Sequence, residues 1–327
     1  MTSEPNALPS YDELPVDPGL PPGSSWGLWG DDDVLGCLNL LTAERVRHGA
    51  ALVKTGETFA LNWDMGMPDP PLFGRAKFDH TVTWLGDTAH DDLPTNWNTQ
   101  SSSQWDGFRH VRSPKHGFYA GVADEDHGMH HWAARGIAGR CVLVDMGRYR
   151  EGVGRPLRMD EPDPIEPAEV TAALEAQGSV VEIGDVLLVR TGWMSWYKSL
   201  DHAGRLQVAT RSVAPGLRPG RETARLLWNL HVAAVAADNP ALEVMPPGAL
   251  ATPEQRAAAR ADPDEGLEVF VHLSLLPLLG MPIGEMFDLD ALAEACAADG
   301  RYDALFTSAP LNLHAGVASP PNALVLR

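Results

Sequence analysis

The sequence predicts an α/β fold carried by one large domain. Three observations point there. The short, almost wholly apolar runs "CVLVDM" (141–146), "DVLLVRTGW" (185–193) and "VAAVAAD" (232–238) have the length and composition of strands buried on both faces. Between and around them lie longer stretches of helical character, such as "EPAEVTAALEAQG" and "RETARLLWNLH". No period of 20–50 residues repeats and no Pro/Gly/Ser linker interrupts the interior, so one domain is favoured over two. The 327 residues, 44% of them hydrophobic, are enough for a sizeable core.

Each element has its own reason. Residues 1–25 hold six prolines, Pro5, Pro9, Pro15, Pro18, Pro21 and Pro22. Proline fixes φ and lacks the N–H donor, so an extended arm is expected, either disordered or laid across a neighbouring subunit. The single domain then runs over 26–327. Thr42 offers an N-cap for a helix over Ala43–Val53, with Arg45 standing where a capping-box Glu would be. "ETFALNW" and "DHTVTWLG" alternate as strands do. Gly178 and Gly300 end the helices "EPAEVTAALEAQ" and "LDALAEACAAD". "MPIGEMF", "DALFTSAPL" and "NALVLR" read as strands, and "VFVHLSLLPLLG" is apolar almost all round. The segments 195–220 and 246–267 lack clear periodicity and read as insertions able to cover a site.

Composition excludes several function classes. A net charge of −19, from 44 acids against 25 bases, disfavours nucleic acid and anionic membranes as partners. Cys37, Cys141 and Cys296 form no CxxC pair, so neither a disulfide framework nor a zinc knuckle is expected. "MTSEPNALPS" has no basic n-region and no apolar h-region, and no run of 18 apolar residues occurs. A cytoplasmic, small-molecule protein is the expectation. "GWMSW" is no nucleophile elbow, and GxGxxG and GxxxxGK[ST] are absent, which removes the nucleotide loops.

The chemistry-bearing residues fall into a few groups. "NTQSSSQWDGFRH" (98–110) is too polar for a core. It places Asp106 and His110 four apart, within reach of one ion or of each other. His272 interrupts the apolar run 269–280, and Glu285 stands in "MPIGEMF"; a charged group in such company must be paired, neutralised or metal-bound. Taken singly, His272 reads as a satisfied core histidine and Glu285 as a strand-end acid. Asp238 and Glu243 in "AADNPALE" sit after a strand, where function often lies, although "DNP" is also a turn signal. His127, His130 and His131 read as loop histidines, because Gly128 disfavours a helix and no HExxH is present.

In order along the chain, "GLWGDDDVLGCLNLLT", "NTQSSSQWDGFRH", "GIAGRCVLVDM", "GDVLLVRTGW", "VAAVAADNPALE", "VHLSLLPLLGMPIGE" and "PLNLHAGVASPPNALVLR" resemble the cyclase family. This is the metal-dependent hydrolase group that includes bacterial kynurenine formamidase and isatin hydrolase. The resemblance runs from about Trp26 to Arg327. It implies a swivelling β/β/α fold, with a central mixed sheet and flanking helices, in a homodimer or homotetramer.

The family signature His-x-Gly-Thr-His-x-Asp-x-Pro-x-His, laid on this chain, covers Gln100 to His110. The Asp falls on Asp106 and the last His, the family's catalytic base, on His110. The two ligand histidines fall on Gln100 and Gln104. The ligands from the second half fall on His272 and Glu285.

The resemblance therefore implies a divalent metal held by Gln100, Gln104, Asp106, His272 and Glu285. A carboxamide oxygen is a harder and weaker ligand than imidazole, so this set suits Mn²⁺ or Mg²⁺ better than Zn²⁺. His110 and Asp106 are the implied catalytic residues, with Trp105, Asp238 and Arg190 as implied substrate contacts. The implied activity is hydrolysis of a cyclic or aryl amide or ester. Two alternatives stay open: a metal-independent cyclase or dehydratase using the same pocket, and a non-catalytic relative.

Overall fold

The three apolar runs become adjacent strands at the centre of a nine-stranded sheet in a computed structural model that describes residues 8–327. In chain order the strands are β1 (Thr58–Ala60), β2 (Asp79–Leu85), β3 (Ala89–Thr95), β4 (Gln104–Asp106), β5 (Ile137–Asp145), β6 (Pro164–Ile165) and β7 (Val186–Arg190). They continue with β8 (Gly216–Leu217), β9 (Ala234–Ala237), β10 (Ile283–Glu285), β11 (Asp303–Ser308), β12 (Ala318–Ser319) and β13 (Ala323–Leu326). The main sheet has the order β1-β13-β11-β5-β7-β9-β10-β4-β12. Its core, β5-β7-β9-β10, is parallel, and antiparallel pairs extend it on both sides. β7 and β9 are buried throughout except at Arg190, which is why they read as continuous apolar runs rather than alternating ones. Helices Ala43–Ala51 and Pro167–Gln177 pack on β5. Thr42 caps the first through Arg45 N, and Gly178, in left-handed conformation, ends the second.

Several expectations are corrected. "DHTVTWLG" is a strand, but it pairs only with β3, in a separate hairpin whose residues are all exposed. Residues 195–220 and 246–267 are largely helical, with helices Trp193–Ser199, His202–Arg211 and Pro253–Ala261. Their start signals were present: Asp201 caps through Gly204 N, and Thr252 forms a capping box with Gln255. His130 and His131 lie in a helix, Met129–Arg135, for which Gly128 serves as N-cap rather than as a breaker.

The proline arm, over the residues described, folds back on its own chain. Trp228 Nε1 donates to Pro9 O, Tyr11 N donates to Asn229 Oδ1, and the Arg225 guanidinium lies over the Tyr11 ring. Aromatic burial thus anchors these residues on the chain's own helix Arg221–Asn229. Residues 1–7, Pro5 among them, lie outside the described part.

The sheet geometry also positions the polar stretch. β4 lies between β10 and β12, with Gln104 opposite Glu285 and Asp106 opposite Ile283. Successive side chains of a strand point to opposite faces, so Gln104 and Asp106 share one face and Trp105 takes the other. Gly107 follows because a Cβ there would lie 2.7 Å from Val317 O, on the neighbouring segment.

Candidate active site

Six side chains from three segments converge beside the β4–β10 pair. β4 supplies Gln104 and Asp106, and the flanking loops supply Gln100 and His110. β10 supplies Glu285, and the short helix His272–Leu275 supplies His272 at its first position. The rings of His110 and His272 lie 6.3 Å apart.

The hydrogen bonds form two linked chains. Gln100 Nε2 lies 2.6 Å from Asp106 Oδ1 and 3.0 Å from His110 Nδ1. Gln104 Nε2 lies 2.5 Å from Glu285 Oε2. His272 Nε2 lies 3.2 Å from Glu285 Oε1, and its Nδ1 lies 2.6 Å from Glu243 Oε1. Glu243 also accepts from Val271 N and His272 N. It is fully buried in the loop after β9, and its three donors are what make that burial tolerable.

The electrostatics follow from this crowding. Burial lowers His110, and the charge of Asp106 pulls the other way without prevailing, so His110 is neutral at pH 7. Burial also pulls His272 down, but hydrogen bonds and charges from Glu243 and Glu285 outweigh it and raise His272 to about 10. Glu285 is raised to about 7 by burial and by the charge of Asp106, with His272 and Arg75 opposing. Three acids in one buried cluster cannot all keep isolated carboxylate behaviour. Without a further cation the arrangement holds an imidazolium between Glu243 and Glu285.

The residues fit a divalent cation. Asp106 Oδ2 is buried with no hydrogen-bond partner. One ligand atom each from Asp106, His272 and Glu285 can be chosen so that all lie within 4.8 Å of one another. A carboxylate on Nδ1 is the usual way to fix a ligand histidine, and Glu243 occupies that place for His272. Glu243 is the residue that reading the sequence left out of the site. Its signal was an acid inside an apolar stretch, the same one that singled out His272 and Glu285.

Gln100 and Gln104 stand as donors to Asp106 and Glu285. Each faces a carboxylate, so each must present its NH₂ end, since amide oxygen against carboxylate oxygen would repel. Three residues expected to contact substrate lie elsewhere. Trp105 is buried on the opposite face, packed on Phe287 and Phe306, with Nε1 bonded to Ser308. Asp238 is buried and accepts from Thr191 N, Thr191 Oγ1 and Gly192 N, which makes it a brace for the turn after β7. Arg190 is held between Asp145 and Asp290.

The site opens into a cleft of about 140 Å³. Phe73, Met245 and Phe270 form apolar walls, Arg75 stands among them, and His110, His272 and Glu285 line it. Larger hollows of about 330 and 360 Å³ lie near Trp196–Val213 and near Tyr149. Neither contains any of the three residues that can hold a cation, so we assign the chemistry to the smaller cleft. Phe73, Leu242 and Met286 adopt left-handed backbone at φ of 58°, 57° and 53°. They adjoin the Arg75 turn, Glu243 and Glu285, and strain of this kind gathers where a site over-determines the chain.

The Cyclase family model matches residues 58–244. Among solved structures, one described as a novel cyclase is 32% identical, covering 93% of this chain and 99% of its own, with a TM-score of 0.78. Isatin hydrolase A from Labrenzia aggregata, bound to benzyl benzoate, is 14% identical over 84% of this chain and 94% of its own, with a TM-score of 0.53. An isatin hydrolase bound to the product analogue thioisatinate is 13% identical over 88% and 99%, with a TM-score of 0.55. At that identity the last two share the fold. No curated protein matches the chain.

Proposed function

The chain belongs to the cyclase family, and from that premise we propose that it hydrolyses a cyclic or aryl amide or ester with a divalent cation, Mn²⁺ or Zn²⁺. The observation that carries this reading is the unpartnered Asp106 Oδ2 facing His272 and Glu285, with Glu243 behind His272. The isatin hydrolases of like fold lend the substrate type. A cation held by Asp106, His272 and Glu285 would polarise the scissile carbonyl and lower the pKa of a water.

His110 is the acid–base group, half-buried at the cleft and neutral at pH 7. Gln100 sets its tautomer. With the Gln100 NH₂ end on Asp106 and on His110 Nδ1, the ring carries its proton at Nε2. Once the charge of Asp106 is balanced otherwise, the amide is free to turn. Its oxygen then accepts Nδ1–H and leaves Nε2 as a base, which can return its proton to the leaving group.

A second reading has its own support. Because Gln100 and Gln104 donate to Asp106 and Glu285, a metal-independent cyclase or dehydratase could run acid–base chemistry with the same groups. Metal content of protein purified without chelator, followed by an amide and ester hydrolysis screen before and after chelation, separates the two. Activity that survives complete metal removal sinks the first reading.

The expected homodimer or homotetramer stays a proposal. It is supported by the projecting β2–β3 hairpin, which exposes Val82, Trp84, Leu85 and Leu93; an isolated two-stranded hairpin is marginal in water. Sedimentation at micromolar concentration tests it, and a clean monomer removes it. Among the described residues no helix is long and apolar enough to cross a membrane. The three buried, unpaired cysteines support a cytoplasmic setting.

A further inference from the structure

The hydrolase reading leaves one cation of the cleft without a part. Arg75 is half-buried in the cleft wall. Its guanidinium meets the carbonyl of Gln100 and, at 3.5 Å, Oε1 of Gln104. Both are neutral acceptors, and among the described residues no carboxylate forms an ion pair with it. Arg140, Arg150 and Arg190 each hold two carboxylates or more and the buried Arg327 holds Asp299, while Arg135 rests on carbonyls but lines no part of this cleft. A guanidinium kept from water without an anion leaves favourable interaction unused.

The local backbone is arranged to hold it there. The turn Leu72–Gly74 puts Phe73 at φ 58° and ψ 23°, a conformation that bulky residues rarely adopt. This sets the Phe73 ring 5.2 Å from the guanidinium carbon, so the cation rests on an aromatic face. Phe270 lies parallel to His272 at 4.7 Å and forms another wall of the same cleft. A volume of about 140 Å³ between such walls is of the size that admits one aromatic ring. When no cation is bound, Asp106 and Glu285 make the floor hostile to an anion, so an anionic group is then matched in charge only at the Arg75 end.

We propose that Arg75 is a specificity-determining residue that binds a carboxylate borne by an aromatic ring lying between Phe73 and Phe270. This rests on the hydrolase reading for what the cleft is for, but its test needs no turnover. Benzoate and its neutral counterpart benzamide are titrated by calorimetry into wild type, R75M and R75K, as purified and again after chelation. Wild type should prefer benzoate by about tenfold or more, as a charge-assisted, two-pronged contact implies. R75M should lose that preference while its benzamide affinity holds. R75K should keep part of it, because a point charge replaces a planar fork.

If R75M does not fold, R75K alone decides: an unreduced benzoate preference overturns the proposal. So does a chelated wild type indifferent to charge, or a chelated R75M that still prefers benzoate. Loss of the preference in R75M, with no amide or ester ever hydrolysed, refutes the hydrolase reading and leaves the anion site standing. Hydrolysis with an unchanged preference in R75M does the reverse.

Discussion

The Gln100 side chain donates to Asp106 across 2.6 Å and, from the same nitrogen, reaches His110 Nδ1 at 3.0 Å. One amide thus ties the carboxylate that can hold a cation to the imidazole that moves a proton. His110 itself is partly open to the cleft, with 27% of its side chain exposed, and few core contacts depend on it. H110A should therefore keep the wild-type thermal midpoint within a few degrees and lower kcat by about 10²–10⁴, the usual worth of a general base. Full activity in H110A on the true substrate would falsify the mechanism whatever the metal result.

Glu243 orients His272 and is buried with it. E243Q should weaken metal retention by about 10–100-fold, the common cost of losing the partner behind a ligand histidine. Competition with a chelator measures this, and retention equal to wild type would separate Glu243 from the centre.

The cation-free protein should carry a pH signature of the same pair. His272 is raised from 6.5 to about 10, so its contribution to stability is complete below pH 6.5 and is lost as pH rises through about 10. Glu285, raised from 4.5 to about 7, adds a decline of the same sign that starts lower. The thermal midpoint of chelated protein should fall across this range, and E243Q should flatten the upper part. A midpoint that rises toward pH 10 contradicts the sign.

Restoring histidine at both glutamines tests what the substitutions do. Q100H/Q104H exchanges two amide donors for two imidazole ligands beside Asp106 and Glu285. Zinc affinity should rise by about tenfold or more, because imidazole is the better zinc ligand. No rise would mean that positions 100 and 104 do not face the ion.

Trp105 should report on stability and not on substrate. It is wholly buried against Phe287 and Phe306, and W105A should cost about 3–5 kcal/mol by leaving a cavity. The milder W105F should lower the denaturation midpoint while leaving KM unchanged. A KM effect from W105F at constant stability would return Trp105 to the substrate side.

Much of the architecture was written in local pattern. The runs at 141–146, 185–190 and 232–238 announced themselves because a strand buried on both faces has no room for polar residues, and they are β5, β7 and β9. His272 and Glu285 stood out because burial penalises unpartnered charge. By itself, then, the sequence determined which segments are buried and which polar groups burial would force into partnership. Even the placement of Trp105 follows from pattern alone, since period two on a strand sends it away from Gln104 and Asp106.

Tertiary structure decided the partners. That Glu243 rather than Asp238 meets His272 depends on how the loop after β9 turns, through Leu242 at φ 57°. That Gln100 and Gln104 donate to carboxylates instead of offering oxygen to a metal depends on which groups face them across β4 and β10. That Arg75 lines the cleft depends on a strained turn at Phe73. These are contacts between residues far apart in the chain, or on irregular loops, where no period operates. Hydrophobic pattern fixes what is removed from water, but the identity of a hydrogen-bond partner is set only when the segments have docked.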